Sequence, residues 1–133
     1  MIITYKIDPE DAYVCAESDR IIDFSQNDSF SYTFWKIKDR FPSWYDTRAL
    51  DILYLSFAVF SADRLFKRDD AEDGWSRDFK LNVPVINEGL FLKNAILLQE
   101  MISFLTGDRW TFSFRKRSLT QSELLHRNRP LKK

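Results

Sequence analysis

Glycine is scarce in this chain, and so are proline, cysteine and histidine. Three glycines and four prolines stand among 133 residues, about 5% together where roughly 12% is usual. That scarcity argues against a many-turned sandwich or a low-complexity chain. Gly74, Gly89 and Gly107 are too far apart to share a loop. They build neither the G-x-G-x-x-G dinucleotide loop, nor the G-x-x-x-x-G-K phosphate loop, nor the G-x-S-x-G nucleophile elbow. A glycine-cradled nucleotide is therefore excluded. Cys15 is the single cysteine, which rules out an intrachain disulfide and fits a reducing compartment. His126 is the single histidine, so zinc sites built from Cys and His fail by count. A nucleophilic pair would need Cys15 to meet the polar stretch around His126, and a buried, inert thiol is the simpler reading. Met1 to Lys6 lacks the basic and apolar regions of a signal peptide. The longest apolar run, Ala49 to Ala62, is interrupted by Asp51 and two serines and is too short to span a bilayer. The expectation is a soluble cytoplasmic protein with no membrane partner.

Aromatic residues are abundant instead, with 12 Phe, 4 Trp and 5 Tyr. Each can bury roughly 150–250 Å², so a chain of this length can form one core without staples. Lys plus Arg and Asp plus Glu are 20 each, a formal charge of zero. This disfavours both a uniformly basic nucleic-acid binder and an acidic disordered segment. The balance hides an asymmetry. From Gly107 onward eight Lys and Arg face only Asp108 and Glu123, a net of +6, so the preceding residues carry −6.

Ile2 to Ile7 reads as a first short strand, and Ile21, Ile22 and Phe24 suggest a second. Phe30 to Ile37 alternates with period two and predicts a third. Ser43 with Asp46 fits a helix start signal. Leu50, Leu53, Phe57 and Phe60, widened by Ile52, Leu55 and Val59, predict a helix over about 44–66, closed by Lys67 and Arg68. Arg77 to Val83 alternates, with Pro84 ending that strand or placing it at a sheet edge. Asn87 is placed to cap a helix over roughly 88–105, with Leu90, Phe91, Leu97, Leu98, Met101, Phe104 and Leu105 inward and Gly107 as its left-handed stop. Trp110, Phe112 and Phe114 alternate in a last strand. Residues 1–117 thus read as one domain and 118–133 as a basic tail or linker. The fold class expected is α+β, a small mostly antiparallel sheet with two long helices packed on one face.

Four groups of residues carry candidate chemistry. Asp69, Asp70, Glu72 and Asp73 before Gly74 suggest a calcium loop, but Ala71 and Lys80 fall where ligands are required, so no metal site is assigned. Alternating aromatics and cations over Arg109–Arg117 fit base stacking, as they fit any amphipathic strand over a core. The basic tail fits phosphate neutralisation or a solvated linker. The fourth group gathers Asp63, Arg64 and Arg68 at a helix end with Trp75, Arg77 and Asp78 at the following strand. Arg64 and Arg68, four apart, would share a helix face. Asp63 or Asp78 would hold a guanidinium at two points, and Trp75 would cover one. The group is either a docking site for an anionic group or partner chain, or an ion-pair clamp tying helix to sheet, the favoured reading.

The motifs Ala62-Asp63-Arg64, Trp75-x-Arg77, Val83-Pro84-Val85 and Trp110-x-Phe112-x-Phe114, spanning residues 45–117, resemble the N-terminal domain of QueC-like proteins of bacterial antiphage islands. Those proteins are similar to 7-cyano-7-deazaguanine synthase and occur in Qat and type IV CBASS systems. The family continues into an ATP-pyrophosphatase domain with a Ser-Gly-Gly-x-Asp-Ser loop, and this sequence contains no adjacent glycines. The resemblance implies a non-catalytic accessory domain that needs no cofactor of its own. Its partners would be an ATP-pyrophosphatase domain, in cis or in trans, and neighbouring defence proteins. The alternative is a nucleic-acid-binding module using the last strand and the basic tail.

Overall fold

A computed structural model describes residues 1–25 and 46–127. The strand expected over Phe30–Ile37 and the start signal at Ser43 lie outside the described residues. Strand β1 is Ile2–Lys6, β2 is Arg20–Asp23, β3 is Asp78–Val85 and β4 is Arg109–Lys116. They form one sheet in the order β2-β1-β3-β4. Helix α1 is Thr47–Leu65, α2 is Glu88–Lys93, α3 is Ala95–Thr106 and α4 is Gln121–Arg127.

All three strand pairings are parallel, which corrects the expected antiparallel sheet. The connections explain the direction. Parallel neighbours need a crossover of a dozen or more residues, usually through a helix, and α2 and α3 supply one between β3 and β4. The alternation that suggested hairpins has another origin. Parallel strands normally read as continuous apolar runs because both faces are covered. Here one face buries Ile3, Tyr5, Phe79, Leu81, Val83, Trp110, Phe112 and Phe114. The other exposes Lys80, Thr111 and Ser113 to water. Helices on one side of a parallel sheet therefore give the period-two signature of an antiparallel one.

Pro84 is neither at the end of its strand nor on an edge strand. Lys80 N donates to Met1 O, while Arg109 N and Arg117 N donate to Arg77 O and Val85 O. Even-numbered β3 positions thus face β1 and odd ones face β4. Pairing with β1 stops at Thr4 and Asn82, two residues before Pro84, so its missing N–H interrupts no ladder.

Helix α1 begins at Asp46, whose Oδ1 accepts the Arg48 amide at 2.7 Å. Hydrogen bonds from the Arg48 guanidinium and amide hold this carboxyl down at about 2. The helix buries Leu50, Tyr54, Leu55, Ala58 and Ala62, and all but Leu50 join the sheet side chains in one core cluster. Tyr5 Oη donates to Ala58 O at 2.8 Å and shares a 3.0 Å hydrogen bond with Ser61 Oγ. Burial pushes the Tyr5 hydroxyl well above its ordinary pKa, against the lowering effect of Ser61. Asp51, fully buried, accepts from Ile86 N at 2.8 Å and Asn87 N at 2.9 Å, tying α1 to the turn after β3.

The helix expected over 88–105 is two helices, broken at Asn94 (φ −106°, ψ 9°). The Asn94 side chain donates to Leu90 O at 2.8 Å, the local competition by which asparagine interrupts a helix. Gly107 has φ 75° and ends α3 in the left-handed conformation. Of the seven residues expected inward, only Phe91 is buried, while Leu97, Met101, Phe104 and Leu105 are exposed. Glu100 is the only ionisable residue of helix α3. Its polar stripe lies on the sheet side, where Gln99 accepts from Phe112 N at 3.0 Å, Ser103 from Trp110 N at 3.3 Å and Thr106 from Trp110 Nε1 at 2.8 Å, so much of its apolar side is left outward.

Candidate functional site: an ion-pair clamp and an apolar helical face

The charged group singled out in the sequence assembles around a residue outside it, Asp108. Its carboxylate is fully buried and lies between two guanidinium groups. Arg77 binds it through Nε at 3.2 Å and Nη2 at 2.7 Å, and adds its backbone amide at 3.1 Å. Arg68 binds it through Nη1 at 2.9 Å and Nη2 at 3.2 Å. Two-point pairing of this kind fixes orientation as well as charge. Burial pushes the Asp108 pKa up, but hydrogen bonds from Arg77 and the charges of Arg77 and Arg68 win, and it lies below the ordinary carboxylate value. The Asp108 hydrogen bond raises the Arg77 pKa against the opposing effect of burial.

The same arginines close helix ends. Arg77 Nη1 donates to Asp63 O at 3.0 Å and Phe66 O at 2.7 Å, and Nη2 reaches Asp63 Oδ1 at 2.6 Å. Arg68 Nη2 donates to Thr106 O at 2.8 Å. The last carbonyls of a helix lack intrahelical partners and carry partial negative charge. The clamp supplies cations to the C-terminal ends of α1 and α3 and anchors both to the start of β3 and β4.

Asp63, Arg68 and Arg77 thus come together. Trp75 lies over Arg68, 5.5 Å from guanidinium carbon to ring centroid, and is itself 69% exposed. Arg64 points away, over the Phe60 ring at 5.4 Å. It does not share a face with Arg68, because α1 ends at Leu65 and Arg68 opens a separate short 3₁₀ turn, Arg68–Asp70. Asp78 holds no guanidinium at two points; its carboxylate lies 3.9 Å from Arg109 on the surface. Asp108 carried a sequence signal, an acid wedged between a helix-stopping glycine and an aromatic strand, but its partner Arg77 is 31 residues away.

In the acidic segment after Arg68, Asp73 Oδ1 accepts the Trp75 amide at 2.9 Å and the Ser76 amide at 2.7 Å. These bonds lower the Asp73 pKa. Among the described residues no group of three or more His, Cys, Asp or Glu is placed to hold a metal ion. Trp110, Phe112 and Phe114 are buried in the core, so their faces are not open to bases. Among the described residues no helix is long and apolar enough to cross a membrane.

Residues after 117 open with a second buried pair that the sequence reading missed. Arg117 and Glu123 bond at 2.5 and 3.0 Å. Glu123 Oε1 accepts Thr120 N at 2.8 Å, while Thr120 Oγ1 accepts Glu123 N at 3.1 Å. This reciprocal capping box starts α4, and Thr120-x-x-Glu123 was its sequence signal.

A further feature is apolar. A furrow of about 510 Å³ runs between α1 and α3, lined by Ile52, Val59, Phe60, Met101 and Leu105 and ending at Asp63 and Arg68. A second hollow of about 260 Å³ extends it past Ile52 and Leu98 to Leu90 and Leu97. Phe104 stands clear of the surface, 88% exposed. No family model, characterised protein or solved structure matches the chain.

Proposed function

We propose that the chain is an accessory interaction domain of a deazaguanine-synthase-like defence protein, and that it positions a partner or substrate protein rather than transforming one. The observation that carries this reading is the apolar furrow between α1 and α3. Its end meets the clamp at Asp63 and Arg68, with Trp75 over Arg68 and, outside the clamp, Arg64 over Phe60. Large apolar patches rimmed by polar groups mark interaction sites, and Trp and Arg dominate binding hot spots. The clamp braces this surface, since Asp63 and Arg68, which border the furrow, are held by Arg77 and Asp108.

Recovery of an ATP-pyrophosphatase domain and neighbouring defence proteins on the immobilised chain tests the reading. Trp75→Ala and Arg64→Ala, each folded by circular dichroism, should reduce recovery, with hot-spot losses of about 2 kcal/mol or roughly 30-fold. Equal recovery by both variants and wild type overturns it.

A further inference from the structure

We infer that the furrow's partner is a second copy of this chain, paired through α1 and α3 about a two-fold axis. The inference rests on the docking role proposed above: it assigns the furrow and the outer side of α3 to a second copy and leaves the clamp end, with Trp75 and Arg64, to the heterologous partner. Its first support is area. Ile52, Phe60, Leu97, Met101, Phe104 and Leu105 are each about half exposed or more. At roughly 200 Å² for a fully exposed side chain of this size, they offer on the order of 700–800 Å² of apolar surface. The largest apolar patch of an ordinary monomer is about 300–600 Å², and a stable pair buries about 800 Å² on each side.

The second support is shape. A two-fold interface must be self-complementary, with the same patch serving as both donor and acceptor of contacts. This face carries a projection and a recess side by side. Leu97, Met101 and Phe104 follow one another at helical spacing along the outer side of α3. The furrow lies beside them, between α3 and α1. A two-fold rotation sets the ridge of one copy into the furrow of the other. The third support is composition. Within α3 only Glu100 is ionisable, and the exposed charges of α1, Arg48, Asp63 and Arg64, lie at its two ends. A like pair therefore meets with an apolar centre and a charged rim, the composition of a homodimer interface.

Sedimentation of the 133-residue chain between about 1 and 100 µM tests the pairing. The expected result is a dimer whose dissociation constant rises roughly 30-fold or more in Phe104→Glu. Leu97→Glu should act in the same direction, and Thr111→Glu on the polar sheet face should leave the dimer intact. Circular dichroism confirms that each variant folds, and Phe104 touches so little of the core that its replacement should not prevent this. A wild-type monomer at 100 µM overturns the inference, as does a dimer indifferent to both helix-face variants. If the monomeric chain still retains a heterologous partner through Trp75 and Arg64, pairing fails while the docking role stands. Loss of both overturns both.

Discussion

Replacing Asp108 with alanine leaves Arg77, whose side chain is 4% exposed, buried beside no compensating acid but the surface carboxylate of Asp63. Removing one partner of a buried pair costs about 3–5 kcal/mol. Asp108→Ala should lower the urea midpoint accordingly, whereas Trp75→Ala, an exposed side chain, should change stability by only about 0.5 kcal/mol. That contrast separates bracing from docking. The clamp also sets an acid limit. Because the Asp108 pKa is lowered on folding, its contribution is fully present above the ordinary carboxylate value of about 3.9 and is lost as pH falls through the lower, folded value. Stability measured from pH 6 downward should decline more steeply in the wild type than in Asp108→Asn. At this scale the sequence was half legible. Asp63, Arg68, Trp75 and Arg77 share one short segment and could be seen as a group. Asp108 could not join them until the parallel pairing of β3 with β4 set Arg77 beside Arg109.

Helix ends were easier to read than helix faces. Gly107 stood out because a helix that stops before a strand needs a residue tolerant of positive φ. Its Cβ position is open, so Gly107→Ala should cost about 1–2 kcal/mol from backbone conformation alone, with Gly107→Asn costing less, both measurable by thermal unfolding. The box at Thr120 was equally visible in type but was passed over among the cations that surround it. Thr120→Ala should remove about 1 kcal/mol of local stability, read as lost amide-exchange protection across Gln121–Arg127. The faces of α3 were misread for a physical reason. An apolar stripe normally faces the core, but here the polar side of α3, Gln99, Ser103 and Thr106, bonds Phe112 and Trp110 of β4, and Leu97, Met101, Phe104 and Leu105 face outward. The face of α1 was only partly legible: of its expected stripe Leu50 and Leu55 are buried, whereas Ile52 and Phe60 are exposed and the polar Asp51 is buried in their stead.

For the molecule as a whole, strand positions near Ile3, Phe79 and Phe112 were legible, and strand direction was not. Direction depends on which segments become neighbours, and the polar outer face of this sheet imitates hairpin alternation. The resulting topology also fixes a schedule for folding. Of the four described strands β1 is made before the others, and it takes an inner position in the sheet, with Ile2 paired to Lys80. Residues leave a ribosome at about 5–20 per second, so β1 waits roughly 4–16 s for that neighbour. Until then its flank offers unpaired N–H and C=O groups and the side chains of Ile3 and Tyr5, an invitation to premature strand pairing with other nascent chains. The polypeptide's hazard in the cell is thus concentrated in its own birth, in the seconds before Lys80 emerges.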